Sequence, residues 1–260
     1  MPCRQVARFF DSVTSALYKL DPQPDLYIFA ENNSTDGTLQ LIRDFKGPKR
    51  IIRVWFRDDA LDYCETRHDI MGFVRQFLLQ TARQLDPDFA IFLDSDVRVR
   101  SHDLISRLTC WQEQADIVGG PYRRLSPWGV LVAAMWPGWR HIPARTSAAT
   151  LEEVMVVGAG CMCLSRKVIQ DRRLNFYRVK HEALAQENML FTKEASLLGF
   201  PLPNFAEDVA YCLDAWFRGY NVCLDWSVAL DHWTDNRIRP WTLPSAAPKV
   251  ERAIEGGVWL

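Results

Sequence analysis

The chain has 260 residues, enough for one large α/β domain or two small ones with a sizeable core. Lysine and arginine total 31 against 32 aspartates and glutamates, so the formal net charge is −1 and a nucleic-acid partner is not expected. The seven cysteines are scattered, which favours a reducing compartment over a disulfide scaffold. No apolar run is long enough to span a bilayer, and no signal-peptide stretch stands at the N-terminus. We therefore expect a cytoplasmic protein that contacts a membrane at most peripherally.

The first half of the chain alternates predicted helices and strands. Apolar residues recur at helical spacing or form short buried runs between polar and proline-containing turns. The predicted elements are a helix over 6–20, a strand over 26–30, a helix over 39–45, a strand over 50–56, a helix over 66–85, a strand over 89–93 and a helix over 101–114. This alternation predicts an α/β fold with a mostly parallel central sheet flanked by helices.

The strand over 26–30 is followed by a polar turn, Glu31-Asn32-Asn33-Ser34-Thr35-Asp36-Gly37-Thr38. Free backbone N–H groups at the beginning of the next helix and short polar side chains converge in such a turn, which suits a nucleotide. An ordinary turn in which Asp36 or Thr38 caps the helix has the same composition. Taken alone, the turn favours the second interpretation.

The strand over 89–93 runs directly into Asp94-Ser95-Asp96. In extended backbone, alternate side chains point the same way, so both carboxylates can aim at one point beyond the strand. Ligands bind at the carboxyl ends of strands in α/β sheets, and two hard oxygen donors there suit Mg²⁺ or Mn²⁺ with bound phosphate. The alternative is a strand end capped by acidic turn residues. Arg75 on the preceding helix could reach a phosphate or remain solvated.

The second half of the chain differs in composition, with clusters of aromatic residues and of small residues. Residues 119–146 include four aromatic residues that could stack on sugar rings or cover the sheet: Tyr122, Trp128, Trp136 and Trp139. The segment from Trp128 to Trp139 could instead contact a membrane surface. Gly158-Ala159-Gly160 would let a ligand approach the backbone. The Cys161–Cys163 pair lacks a second pair at zinc spacing, so these cysteines are predicted to be buried strand residues.

Two acidic residues, Glu207 and Asp208, begin a helix that ends near Gly219. Acids in a first helical turn are commonly partners of the helix dipole, but a carboxylate on a rigid helix is also how a general base is positioned. His232 follows a last strand over 221–224 and could be a buried structural histidine or a metal ligand.

The order of these segments resembles the GT-A fold glycosyltransferases of the large family 2 and its relatives. The polar turn resembles their "DDGSTDGT" turn. Five further segments follow in the order that the family has: the helix containing Arg75, the Asp-x-Asp strand, the small residues 157–160, the Glu207-Asp208 helix and Asp231-His232. The chain is more distantly similar to the fungal capsule-associated mannosyltransferases. The resemblance covers residues 2–233.

The resemblance implies one GT-A domain over 1–233, with a nucleotide-sugar half over 1–118 and an acceptor half over 119–233, and a tail over 234–260. It implies a hexosyltransferase that moves a sugar from a UDP- or GDP-sugar to a hydroxyl of a glycan, lipid or protein, with inversion, in glycan or polysaccharide biosynthesis. The implied cofactor is Mn²⁺ or Mg²⁺.

The resemblance also implies roles for individual residues. Asp208 would be the catalytic base, with Glu207 hydrogen-bonding to sugar hydroxyls. Asp94, Asp96 and His232 would hold the metal, and the three tryptophans Trp128, Trp136 and Trp139 would contact the acceptor. The nucleotide sugar would contact Pro2, Arg4, Glu31, Asn32, Asn33, Arg75, Asp94, Ser95 and Gly160.

Two departures from the family pattern bear on the site. Such enzymes usually have a strand before the segment matching Pro2-Cys3-Arg4-Gln5, so the base-binding edge of the site is expected to be incomplete. The usual acid of the uridine-contacting turn is replaced by Glu31-Asn32, which leaves the base open. The alternatives are a retaining mannosyltransferase of the capsule-associated type, an aspartyl-phosphate phosphohydrolase that uses the Asp-x-Asp-x-Val pattern, and a sugar-binding protein without turnover.

Overall fold

The computed structural model describes residues 1–47, 50–56, 67–126, 129–136, 140–143, 150–176, 206–228, 230–234 and 237–239. A 3₁₀ turn over Ala7–Phe9 leads into the first helix. The described helices are α1 (Phe10–Tyr18), α2 (Thr38–Asp44), α3 (Arg67–Leu85), α4 (Leu104–Thr109), α5 (Arg166–Gln170) and α6 (Glu207–Phe217). The helices expected over 6–20 and 101–114 are therefore shorter than predicted. None of the described helices is long and apolar enough to cross a membrane.

The strands form four groups. An all-parallel group consists of β1 (Pro2–Cys3), β2 (Leu26–Asn32) and β3 (Arg50–Phe56), in that order. The central sheet has the order β10 (Leu151–Glu153), β13 (Val222–Asp225), β6 (Ile117–Gly119), β12 (Cys161–Ser165) and β4 (Phe89–Leu93). A third group contains β11 (Val156–Val157), β8 (Gly129–Trp136), β7 (Arg123–Ser126) and β9 (Arg140–Pro143), and a fourth contains β15 (Arg237–Arg239), β14 (Leu230–Thr234) and β5 (Val97–Val99).

The central sheet is mixed. Strands β6 and β13 are parallel, whereas β12 runs antiparallel to both of its neighbours, β4 and β6. Parallel neighbours need a crossover segment, usually a helix, and the described residues between β6 and β12 form strands and turns instead. The parallel arrangement predicted from the strand–helix alternation therefore holds in the N-terminal group and gives way to antiparallel pairs around β12.

The core lies on both faces of the central sheet. Along β12, Met162 and Leu164 pack with α3 and α6, whereas Cys161 and Cys163 pack with α1 and α4 on the other face. This alternation follows from the two-residue period of a strand. Both cysteines are buried and free, as the lack of a second pair at zinc spacing predicted.

Helix α6 ends in a Schellman motif at Gly219. The Gly219 amide donates to the Trp216 carbonyl at 2.9 Å, and the Tyr220 amide donates to the Ala215 carbonyl at 3.1 Å. The φ angle of Gly219 is 82°, in the left-handed region that favours glycine. The motif fixes the end of the helix whose first residues are Glu207 and Asp208.

Replacing Gly219 by alanine tests this helix end. No atom of the described residues lies within 4 Å of an added Cβ, so the expected cost is backbone strain. We expect Gly219→Ala to lower the free energy of unfolding by about 1 kcal/mol, measured by urea denaturation. Gly219→Asn is the matched control and should lose less, because asparagine tolerates this conformation better. An alanine variant as stable as the parent protein would contradict the assignment.

Candidate active site

Asp94, Ser95 and Asp96 form a turn between β4 and β5. The Val97 amide donates to the Asp94 carbonyl at 3.1 Å, and the Asp94 amide donates to the Gly160 carbonyl at 3.0 Å. Extended backbone was predicted here, with both carboxylates aimed at one point. The chain turns instead, and the two carboxylates have different partners.

Arg75 on α3 joins two of the predicted site carboxylates. Its Nη2 lies 2.7 and 2.8 Å from the two carboxylate oxygens of Asp94, and its Nη1 donates to Oε1 of Glu207. The Arg75 side chain is 4% exposed. A buried guanidinium therefore connects three elements: α3, the end of β4 and the beginning of α6.

The electrostatics of this group follow from burial. Burial disfavours the charged form of Arg75, but the carboxylates of Asp94, Glu207 and Asp208 outweigh it and hold the pKa of Arg75 above its ordinary value. Burial raises the pKa of Asp94, and the guanidinium opposes that rise without cancelling it. The observed hydrogen-bond partners of Arg75 are Asp94 and Glu207, and the expected place of Arg75 beside the nucleoside stays a prediction.

Asp96 lies beside His232. The Nε2 atom of His232 is 3.6 Å from Oδ2 of Asp96, and Oδ1 of Asp96 is buried without a hydrogen-bond partner among the described residues. The β5–β14 pairing sets this approach, since it places His232 opposite Val97, the residue after Asp96. The neighbouring Asp231 is fully buried and accepts hydrogen bonds from Arg98, which adds a contact between the same two strands.

The fit of these residues to a divalent cation can be judged from their donor atoms. Mg²⁺ is commonly bound through one or two protein carboxylates, with substrate phosphates and water as further ligands. Within the part of the chain that the structure describes, Asp96 has a buried oxygen without a hydrogen-bond partner, and His232 lies next to it. Asp94 is engaged by Arg75, and the described residues contain no group of three or more His, Cys, Asp or Glu side chains arranged to hold a metal. A cation that shares its coordination with a diphosphate fits Asp96 and His232.

Asp208 is the half-buried acid at the beginning of α6. Its Oδ1 accepts from the Val209 amide at 2.9 Å, and its Oδ2 accepts from the Ala159 amide at 3.2 Å. Glu207 is buried and paired with Arg75. The two neighbouring acids therefore differ in exposure and in partners.

The small residues Ala159 and Gly160 connect both halves of the site. Ala159 contacts Asp208, and the Gly160 carbonyl accepts from the amide of Asp94. The Gly160 amide donates at 3.1 Å to the hydroxyl of Tyr122, a buried residue that also packs against His232. Tyr122 was considered as one of the aromatic residues of 119–146 that could stack on a sugar, but its contacts with residues 160 and 232 were not predicted, because nothing in the local sequence connects them.

The polar turn after β2 is held by its own side chains. Glu31 is buried and accepts from the amides of Ser34 at 2.6 Å and Asn33 at 3.2 Å. Asp36 accepts from the amide and hydroxyl of Thr38, the first residue of α2, but the N-cap position is Gly37, which has no side-chain cap bond. Asn32 is 1% exposed, and neither polar atom of its amide has a partner among the described residues.

The remaining predicted site residues differ in burial and position. Pro2 is buried in β1 opposite Ala30, Arg4 and Asn33 are exposed, and Ser95 is buried in the turn after β4. Trp136 is the last residue of β8. Trp128 and Trp139 lie outside the described residues, so acceptor contact by the three tryptophans stays a prediction.

Comparison with known proteins gives matches among solved structures alone. No family model and no curated protein matches the chain. The structure of S. aureus TarS matches with a TM-score of 0.54 and 14% identity, over 86% of this chain and 34% of TarS. A TarS 1–349 structure in complex with UDP-GlcNAc matches with a TM-score of 0.53 and 16% identity, over 86% of this chain and 54% of that one.

These similarities concern the fold. The chain spans about a third of the full TarS structure and about half of the 1–349 fragment. TarS is a glycosyltransferase of the GT-A type, and the shared architecture matches the fold class expected from the sequence. The chain has the α/β fold of the GT-A glycosyltransferases.

Proposed function

We propose that this protein is a glycosyltransferase that moves a sugar from a nucleotide diphosphate sugar to an acceptor hydroxyl. The observation that carries the proposal is the arrangement around the Ala159–Gly160 turn. Asp94 and Asp208 both form hydrogen bonds with this turn, and the pair Asp96 and His232 is linked to it through Tyr122. The match to a UDP-GlcNAc complex of TarS supports a nucleotide sugar as the donor.

The nucleoside would bind at the carboxyl end of β2. Asn32 has a buried amide donor and a buried amide acceptor, both without partners among the described residues. Burying such groups unpaired is costly, and a nucleobase edge offers both complementary groups. Glu31 instead holds the backbone of the turn, so we assign base recognition to Asn32 rather than to Glu31.

The diphosphate would bind near Asp96 and His232. These two residues would hold Mn²⁺ or Mg²⁺, which supplies neutralisation of negative charge on the leaving diphosphate. Asp94 would contribute indirectly, because Arg75 fixes its carboxylate and the Gly160 carbonyl fixes its amide.

Asp208 would act as the general base. In the reaction, the acceptor oxygen forms a bond to the anomeric carbon, the bond from that carbon to the diphosphate oxygen breaks, and the acceptor proton passes to the Asp208 carboxylate. The nucleoside diphosphate leaves with the bonding electron pair, and the anomeric configuration is inverted. Glu207 is a weaker candidate for the base because it is buried and paired with Arg75.

The phosphohydrolase alternative fits the structure poorly. It needs a nucleophilic aspartate at the end of β4, but both oxygens of Asp94 accept from Arg75. A retaining enzyme would not need Asp208 as a base, so the stereochemistry of the product separates that alternative from inversion.

The proposed activity is tested by incubating the full chain with a panel of UDP- and GDP-sugars and measuring release of the nucleoside diphosphate. We expect release with at least one sugar, in the presence of Mn²⁺ or Mg²⁺ and with loss on chelation by EDTA. A panel without release or binding, for a protein that is folded by circular dichroism, would overturn the proposal. Binding without turnover would favour the non-catalytic alternative.

Asp96→Ala tests the cation site. Removing this carboxylate, one oxygen of which is buried and has no partner among the residues described, should abolish turnover and weaken metal-dependent binding of the nucleoside diphosphate, measured by calorimetry with and without Mn²⁺. Asp11→Ala, at an exposed position on α1, is the control and should change neither quantity. Near-normal turnover in Asp96→Ala would show that the cation site is misplaced.

Asp208→Asn tests the base. The substitution keeps the size of the side chain but removes its capacity to accept the acceptor proton. We expect transfer to fall by about two to four orders of magnitude. Donor binding should be nearly unchanged, since the base faces the acceptor.

A purely structural role for Asp208 makes a different prediction. Loss of its interaction with the helix dipole would lower the free energy of unfolding by about 1 kcal/mol with turnover barely altered. Transfer within about tenfold of the parent protein would therefore remove Asp208 from the catalytic role.

A further inference from the structure

Tyr122 lies three residues after β6 and is 8% exposed. Its hydroxyl oxygen accepts from the Gly160 amide at 3.1 Å, and the carbonyl of the same glycine accepts from the Asp94 amide at 3.0 Å. The peptide group before the Gly160 Cα therefore contacts Tyr122, and the peptide group after it contacts Asp94.

The ring of Tyr122 fits closely against Gly160. A Cβ at this glycine would lie 2.6 Å from Cζ of the ring and 2.8 Å from the hydroxyl oxygen. Such distances are well inside van der Waals contact, so the ring occupies the space that a side chain at residue 160 would need. The absence of a side chain at Gly160 and the position of Tyr122 are thus linked.

Tyr122 also packs against His232. The two ring centroids are 5.3 Å apart with an interplanar angle of 58°, a favourable tilted arrangement. The Nε2 atom of His232 is 3.6 Å from Asp96. Tyr122 is therefore in contact with both parts of the site: His232 on one side and the turn that holds Asp94 and Asp208 on the other.

The charge state of Tyr122 suits this place. Burial, together with the nearby carboxylates of Asp208 and Asp94, raises the pKa of Tyr122 well above its ordinary value. The phenol remains neutral at physiological pH and adds no further negative charge among the acids.

We infer that Tyr122 is a positioning residue that holds His232 toward Asp96 through its ring and holds the Ala159–Gly160 turn through its hydroxyl. The inference rests on the proposed function for its catalytic consequence, but the two contacts are properties of the protein alone. The ring and the hydroxyl can be removed separately, so the two parts of the inference have separate tests.

Tyr122→Phe removes the hydroxyl and keeps the ring, whereas Tyr122→Leu removes both. Tyr27→Leu is the matched control, because Tyr27 is also 8% exposed but its hydroxyl contacts Gln23 and Leu17. All three variants are compared with the parent protein at one fixed pH, and thermal unfolding confirms that each one is folded.

The first measurement uses no substrate. In ¹H–¹³C NMR spectra with histidine ring labelling, the His232 resonance, assigned with His232→Ala, should move in Tyr122→Leu because the ring current is lost. It should stay close to its parent position in Tyr122→Phe and in Tyr27→Leu. An unchanged His232 resonance in Tyr122→Leu would overturn the ring contact whatever the protein's activity.

The second measurement adds Mn²⁺ alone. Paramagnetic broadening of the His232 resonance by Mn²⁺ should need about tenfold more metal in Tyr122→Leu than in the parent protein, as expected when a residue that orients a metal ligand is lost. Tyr122→Phe should behave like the parent protein. Equal broadening in all variants would overturn the positioning role. No broadening in the parent protein would overturn the cation site of the proposed function, and the first measurement would then decide the ring contact.

The third measurement uses the active donor sugar. Tyr122→Phe should lower kcat with the KM for the donor little changed, since the loosened turn holds the Asp208 carboxylate through the Ala159 amide. Tyr122→Leu should also raise the KM for the donor. A Tyr122→Phe variant with the parent kcat would overturn the role of the hydroxyl.

Discussion

The burial of one guanidinium underlies the arrangement of the site. Arg75 is almost fully enclosed, and a charge in that position must be paired, because leaving it unpaired costs several kcal/mol. Its partners come from two segments far apart in the chain, Asp94 at the end of β4 and Glu207 at the beginning of α6. The requirement to satisfy this one charge therefore fixes how α6 approaches the end of β4, and with it the position of Asp208, the next residue along the helix.

The same pairing divides the acids of the site into two kinds. Asp94 and Glu207 are hydrogen-bonded to Arg75, so their role is mainly structural. Asp96 has a buried oxygen to which none of the described residues donates a hydrogen bond, and Asp208 is half-buried with backbone amides as partners. The Asp-x-Asp and Glu-Asp motifs, which lie far apart in the sequence, thus each contain one carboxylate that is paired with Arg75 and one that is not.

Sequence patterns predicted the parts of the site that lie within single segments. The apolar run before Asp94, the acids at the beginning of α6 and the glycine at its end are local features, and the structure contains each of them. The partners of Arg75 could not be predicted in the same way, since Glu207 is 132 residues away and no periodicity connects them. The contacts of Tyr122 with Gly160 and His232 could not be predicted for the same reason. The antiparallel direction of β12 depends on a connection from β6 whose described residues contain no helix, and the composition of the strand does not indicate it.

The balance of charge gives an argument for a cation that does not depend on the family resemblance. Asp94 lies close enough to Asp96, Asp208 and Arg75 for each to influence its ionisation, and Glu207 shares the same guanidinium. The group therefore contains the carboxylates of Asp94, Asp96, Glu207 and Asp208 and the basic side chains of Arg75 and His232. The N-terminal amine of Met1 also lies close to Asp94 and Arg75, but burial lowers its pKa to about 6, so it adds little positive charge at neutral pH. A diphosphate would meet net repulsion at such a place, because like charges at short range in a partly buried site are poorly screened. A divalent cation between Asp96 and the diphosphate would reverse the sign of that interaction, so binding of the nucleotide and binding of the cation should be thermodynamically coupled at this site.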